Sequence, residues 1–163
     1  MEFVECAANW LGKDIENNNN WVHYFSTNEV REIKSALSVA ESSISSLSQV
    51  TKDNFRLPEL SQVFEQIQIE LEEGLGIKLL RGFPVSDFTE EQLRLVYWGI
   101  GLYLGTAVSQ SKRNDYLGDV RDLGTGLDGP EFRGYTSNGE LTYHVDAADI
   151  TGLFCLKPAK EGG

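Results

Sequence analysis

Two side chains near the end of the sequence have the types and the spacing of a metal-ligand pair. His144 and Asp146 are separated by one residue in a segment that is predicted to be an extended strand. Side chains of a strand alternate between its faces, so the imidazole and the carboxylate would share one face, with Cα atoms about 6.6 Å apart. Such a pair, completed by a distant histidine, suits non-haem Fe(II) and leaves coordination positions open. In the alternative interpretation, the two side chains hydrogen-bond each other on a half-exposed strand.

Few other residues could complete a catalytic set. The sequence holds one further histidine, His23, and two distant cysteines, Cys6 and Cys155, in no metal-type spacing. His23 lies before the first predicted helix in an aromatic cluster, and we interpret it as a satisfied, partly buried residue rather than a ligand. The cysteines are interpreted as reduced and structural. No glycine-rich phosphate loop and no nucleophile–histidine set is recognisable.

The composition restricts the class of protein. The 163 residues are 40% hydrophobic, which is enough for the packed core of one domain. Acidic residues exceed basic ones by 25 to 14, and the net charge of −11 repels phosphate backbones and anionic headgroups. We therefore expect neither nucleic-acid nor membrane binding. With no recognisable signal peptide and no long apolar run, the sequence predicts a cytoplasmic protein.

Three amphipathic helices are predicted before the metal-ligand pair. Ser26 with Glu29, and Thr89 with Gln92, stand in capping-box spacing at the start of the first and third helices, and Gly74 is placed to end the second. Glycines within the third helix predict a closely packed neighbour. The apolar stripes comprise Val30, Ile33, Leu37, Ala40, Ile44 and Leu47, then Leu60, Val63, Phe64, Ile67 and Leu71, and finally Leu93, Val96, Ile100 and Leu104.

Short apolar segments predict strands around and after these helices. Residues 77–83 are glycine-bounded and apolar, which is typical of a buried strand. Residues 141–145 and 152–156 predict two further strands, and residues 116–120 predict a weaker one. Along 141–145 the alternation directs Tyr143 and Val145 towards a core, opposite to His144 and Asp146. Helices come first and strands follow, which is an α+β order.

The second half of the chain carries an ordered series of motifs. The series comprises residues 77–83 with Arg-Gly at 81–82, a helix with Gly101 and Gly105, Ser109-Gln110, residues 133–136, Tyr143 to Asp146, residues 152–156 and residues 159–163. From residue 76 to residue 163 this series resembles the N-terminal part of the TauD/TfdA-like (taurine dioxygenase) family of Fe(II)- and 2-oxoglutarate-dependent oxygenases. Members convert 2-oxoglutarate to succinate and oxidise an unactivated C–H bond, usually by hydroxylation.

The resemblance implies a fold and a site. The fold is α+β, with an N-terminal helical region over residues 1–75 and the first strands of a double-stranded β-helix, or jelly roll, over residues 76–163. His144 and Asp146 are then the first two iron ligands, Fe(II) is the metal and 2-oxoglutarate is the cosubstrate. Tyr135, Thr136 and Asn138 are candidate contacts to a small-molecule substrate, and their alternative role is that of turn residues.

The sequence departs from the family pattern after the metal-ligand pair. The family uses a distal histidine as third ligand and an arginine that pairs with 2-oxoglutarate, and both are expected beyond Gly163, because no histidine follows His144. We therefore expect an incomplete barrel, weak iron binding and no turnover by this chain alone. Two alternatives stay open: a non-catalytic remnant that associates with a full-length relative through open strand edges, or an incomplete gene model.

Overall fold

The computed structural model describes residues 6–110, 115–122 and 143–158. The described residues fall into two units, one with residues 6–106 and 152–158, the other with the described part of residues 107–151. The predicted division at residue 75 stays a prediction. In chain order the elements are α1 (Gly12–Ile15), β1 (Val22–Tyr24), α2 (Thr27–Ser43), α3 (Leu60–Glu73), β2 (Leu79–Arg81) and α4 (Glu90–Leu104), with short 3-10 turns at Leu47–Gln49 and Val85–Asp87.

Helix α2 begins as its capping box predicts and ends earlier than its apolar stripe. The Ser26 hydroxyl accepts the Glu29 backbone N–H at 3.3 Å, and the Glu29 carboxylate accepts the Ser26 N–H at 2.6 Å. The helix stops at Ser43, so the predicted stripe residue Ile44 is already its C-cap. The hydroxyls of Ser42 and Ser43 both donate to the Val39 carbonyl, which is the side-chain competition that weakens serine-rich helix ends.

Helix α3 receives its N-terminal cap from another helix. Its own N-cap residue, Glu59, has no capping side chain. Instead, the carboxylate of Glu32 on α2 accepts the backbone N–H groups of Glu59 and Leu60, at 2.7 and 3.0 Å. These N–H groups have no partner within α3, and a carboxylate also suits the positive end of a helix dipole. At the other end, α3 stops before Gly74, as predicted.

Helix α4 packs closely against the connection that leads to α3. Its capping box at Thr89 and Gln92 forms as predicted. A Cβ placed on Gly99 would lie 2.5 Å from the ring of Phe55, so the ring occupies the space that a side chain would need. The predicted close-packed neighbour is therefore confirmed at Gly99, whereas nothing lies within 4 Å of such an atom at Gly101.

The hydrophobic core lies among helices α2, α3 and α4. Phe55 and Phe64 are its largest members, with 0% and 1% of their surface exposed. The connection between α2 and α3 contributes Val50, Phe55 and Leu57. The helices contribute Ile33, Ala36, Leu37, Ala40, Leu60, Phe64, Ile67 and Val96. Most of these residues come from the predicted apolar stripes, so the periodicity identified the core faces of the helices correctly.

A two-stranded parallel sheet joins the segment before α2 to the segment after α3. Val22 pairs with Leu79, and Tyr24 pairs with Arg81. Strand β2 confirms the centre of the predicted strand over 77–83, whereas β1, which lies in the aromatic cluster around His23, was not predicted. Gly82 ends β2 with a φ of 83°, a left-handed conformation that glycine adopts without strain.

The later predicted strands are not found among the described residues. Residues 116–120, 143–145 and 152–156 are irregular, and residues 141–142 lie outside the described part. Tyr143 and Val145 are 108% and 95% exposed, so the prediction that they face a core is wrong here. A strand requires a neighbouring strand, and none of the described residues forms a strand beside these segments. The described part is a mixture of helices with one small sheet, not a closed barrel, and the jelly roll stays an expectation from the family.

Candidate metal-binding pair

His144 and Asp146 lie close together in an irregular, exposed segment. Nε2 of His144 is 3.8 Å from Oδ1 of Asp146, and the two side chains are 59% and 54% exposed. The two donors therefore converge as the spacing predicts, although the backbone between them is not a strand. Their separation is too long for a hydrogen bond and suits an ion pair when the histidine is protonated.

The two donor types suit adjacent positions on one metal ion, at a spacing shorter than the observed 3.8 Å. Imidazole nitrogen and carboxylate oxygen are the donor types of non-haem Fe(II) sites. Ligand bonds of about 2.0–2.2 Å place neighbouring donor atoms about 3 Å apart. The pair reaches that spacing if its donor atoms approach by less than one ångström from the observed 3.8 Å, and their exposure leaves room for an ion. No third ligand is at hand, since the described residues contain no group of three His, Cys, Asp or Glu side chains that could hold a metal.

His23 has a structural environment. Its ring packs edge-on against Phe25, with 5.6 Å between centroids. Its Nε2 lies 3.1 Å from the Glu29 carboxylate, and its side chain is 24% exposed. Burial raises the pKa of Glu29, but hydrogen bonds from Ser26 and the neighbouring charge of His23 outweigh it, so the pKa lies below its usual value. These contacts agree with the interpretation of His23 as a partly buried residue rather than a ligand.

The structure also bears on the candidate substrate contacts and on the two cysteines. Tyr135, Thr136 and Asn138 lie outside the described residues, and their role as substrate contacts stays a prediction. Cys6 and Cys155 are free thiols, which agrees with the interpretation of both as reduced, and both are exposed.

One arrangement of aromatic rings is not predicted by the sequence. Phe83, Phe88, Tyr97 and Phe154, here called the aromatic group, form a chain of ring contacts. Phe154 stacks on Tyr97 with centroids 5.6 Å apart and meets Phe83 edge-on at 5.8 Å, while Phe83 stacks on Phe88 at 5.0 Å. The rings come from segments far apart in the sequence, and no local pattern predicts that they meet.

The sequence model of the family described as "Taurine catabolism dioxygenase TauD, TfdA family" matches residues 43–163. This match includes most of the chain as well as His144 and Asp146. The chain therefore belongs to the TauD/TfdA family, and the similarity begins well before residue 76, where the motifs first become recognisable.

Two curated relatives cover almost the whole chain. It is 32% identical over 155 residues to FR-33289 synthase of Streptomyces rubellomurinus, with 94% of this chain and 46% of the relative covered. It is 24% identical over 161 residues to taurine hydroxylase-like protein SAT17 of Stachybotrys chartarum, with 94% of this chain and 42% of that relative covered. The chain thus spans less than half the length of either relative. Among the described residues, no helix is long and apolar enough to cross a membrane.

Proposed function

We propose that this chain is a part of an Fe(II)- and 2-oxoglutarate-dependent dioxygenase and that His144 and Asp146 supply two of the iron ligands. The observation that carries the proposal is the convergence of the two donors to 3.8 Å within the segment that the dioxygenase family matches. When bound, iron and 2-oxoglutarate would supply the oxidising chemistry. The substrate is a small molecule, and the charge of −11 supports the expectation that nucleic acids are not partners.

The contribution of this chain is ligation. Two protein donors on adjacent positions hold an ion more weakly than three, and they leave most of its coordination positions to water. The family pattern also requires a distal histidine and an arginine that these 163 residues do not supply after His144. We therefore propose that the 163-residue polypeptide alone binds Fe(II) weakly and does not turn over.

Calorimetric titration with Fe(II), without oxygen, tests the ligand assignment. We expect His144→Ala and Asp146→Ala each to weaken binding by at least about tenfold, since even residues that only orient a ligand cost about 10–100-fold. Asp149→Ala is the matched control, because it removes the same charge from an exposed position nearby. Equal losses in Asp146→Ala and Asp149→Ala would indicate general electrostatic attraction and contradict the assignment.

An activity assay tests the second half of the proposal. The purified chain is mixed with Fe(II), 2-oxoglutarate and oxygen, and succinate is measured. We expect no succinate above the level of His144→Ala. Robust release from the unaltered chain, lost in His144→Ala, would show that the 163 residues are active by themselves.

A non-catalytic interaction module is the second candidate function. The observation in its favour is the nearly complete exposure of Tyr143 and Val145, at 108% and 95%, beside the donor pair. Large apolar side chains this exposed are typical of surfaces that a partner covers. Light scattering of the chain mixed with a full-length relative is the test. A defined hetero-oligomer supports this candidate, and an unchanged monomer rejects it.

A further inference from the structure

Phe154 is less exposed than three large apolar side chains near it in the sequence. Tyr143, Val145 and Leu153 are 108%, 95% and 84% exposed. Phe154 is only partly exposed, because its ring packs between Tyr97 of α4 and Phe83, which follows β2. Stacked and edge-on ring pairs contribute beyond the apolar area that they bury. Phe154 is therefore the residue through which residues 152–158 pack on the helical core.

The neighbouring glycine shows how closely this segment fits. A Cβ placed on Gly152 would lie 2.8 Å from the Tyr97 hydroxyl oxygen. A side chain at this position would therefore require the Tyr97 hydroxyl or the backbone of the segment to shift. Burial also raises the pKa of the Tyr97 phenol, which makes its titration a spectroscopic reporter of the packed segment.

We propose that Phe154 is a positioning residue for the metal-ligand pair, because its packing on Tyr97 and Phe83 fixes the chain shortly after Asp146. The inference rests on the proposed function, in which Asp146 is a ligand. Asp146 precedes Gly152 by six positions. Fixing one end of a short segment reduces the number of conformations that its ligands must lose when they bind a metal. Phe154 touches no metal and acts through the backbone alone.

Variants of the full 163-residue chain test this role by anaerobic calorimetric titration with Fe(II). Phe154→Ala removes the ring contacts, and Gly152→Ala places a methyl group against the Tyr97 hydroxyl while it keeps every apolar side chain. Leu153→Ala is the matched control, since its side chain is 84% exposed. Ile67→Val is the stability control, because it loosens the core on α3, where Ile67 is 4% exposed. The absorbance of the tyrosine phenols is titrated with pH, and the titration of the corresponding Tyr97→Phe variant is subtracted. The difference reports whether residues 152–158 still cover Tyr97.

The expected result is weaker metal binding only when the packing of Phe154 is lost. Because residues that orient a ligand change metal affinity by about 10-fold or more, and Phe154 acts at longer range, we expect a loss of at least about threefold. Phe154→Ala and Gly152→Ala should both bind Fe(II) more weakly than Leu153→Ala by this factor. In both variants the pKa of Tyr97 should return towards its usual value. A smaller loss of Fe(II) affinity in Phe154→Ala overturns the positioning role, and so does an equal loss in Ile67→Val. In either case the assignment of His144 and Asp146 as ligands stands. If the unaltered chain binds no Fe(II), the ligand assignment fails first and this role fails with it.

Discussion

At the scale of single residues, Glu29 has two functions at once. One carboxylate oxygen closes the capping box of α2 at 2.6 Å from the Ser26 nitrogen, and the other lies 3.1 Å from His23 on β1. The side chain thus links the start of a helix to a strand. Both contacts favour the ionised form of Glu29, which explains why its pKa lies below the usual value.

Glu29 should therefore make the stability of the fold depend on pH. Because the pKa of Glu29 is lower in the folded chain, its contribution is complete above the ordinary pKa of 4.5 and is lost as the pH falls through the folded value. Glu29→Gln keeps a side chain that can close the capping box but does not titrate. Urea unfolding between about pH 6 and pH 3 should show a shallower loss of stability for Glu29→Gln than for the unaltered chain. Parallel pH profiles would contradict this role.

Local spacing explains which caps were predictable. Ser26 and Glu29, like Thr89 and Gln92, lie three positions apart, so the sequence contains the whole capping interaction. Glu32 caps a helix that begins 28 positions later. That contact exists only once α2 and α3 pack, and no local pattern contains it. The spacing of His144 and Asp146 is local too, but the strand from which their convergence was predicted is not found among the described residues.

At the scale of elements, two glycines of α4 occupy opposite environments. Gly99 faces the ring of Phe55, and Gly101 faces open space. Glycine lowers helix propensity at both positions by about 1 kcal/mol relative to alanine. The sequence predicts the same cost for each, and only the packing of Phe55 distinguishes them.

The same substitution should then have opposite effects at the two positions. Gly101→Ala should stabilise the fold by about 0.5–1 kcal/mol through helix propensity. Gly99→Ala should destabilise it, since overpacking costs about 1–3 kcal/mol and outweighs the gain in propensity. Free energies of unfolding from urea titrations measure both. Stabilisation by Gly99→Ala would mean that Phe55 moves aside easily and that the contact is loose.

At the scale of the whole molecule, burial among the described residues is confined to part of the chain. The buried apolar side chains lie between Ile33 and Val96. Within residues 107–151, no described residue is buried. The donor pair therefore belongs to a unit whose described part shows no core of its own.

Hydrogen exchange should show this division directly. Amides in α2, α3 and α4 are hydrogen-bonded within helices that cover the core, so they should exchange slowly. Amides of residues 143–151 lie in an irregular and mostly exposed segment, and they should exchange much faster. Mass spectrometry of peptides from the labelled chain measures both. Slow exchange across 143–151 would indicate a partner or packing that the described residues do not account for.

Helices α2, α3 and α4 were predictable from the sequence because their periodicity is local, and so are the capping boxes of α2 and α4. The sheet was only half predictable: β2 is apolar and glycine-bounded, but β1 is three residues long and follows an asparagine-rich loop. The later strands were predicted from the alternation of side chains between two faces. This alternation does not supply the neighbouring strand with which a strand must form hydrogen bonds. The motif series identified the family from residue 76 onwards, whereas the family match from residue 43 includes helical sequence without a recognisable motif.

The parallel pairing of β1 with β2 also has a kinetic consequence. Val22 and Leu79 are partners 57 positions apart, from residue 22 to residue 79, and both α2 and α3 lie between them. Closing so long a loop costs entropy that the pairing recovers only after the ends meet. The helices can form from local contacts well before this. Registration of β1 on β2 is therefore expected to be a late event in folding, and the contact between His23 and Glu29 would form with it.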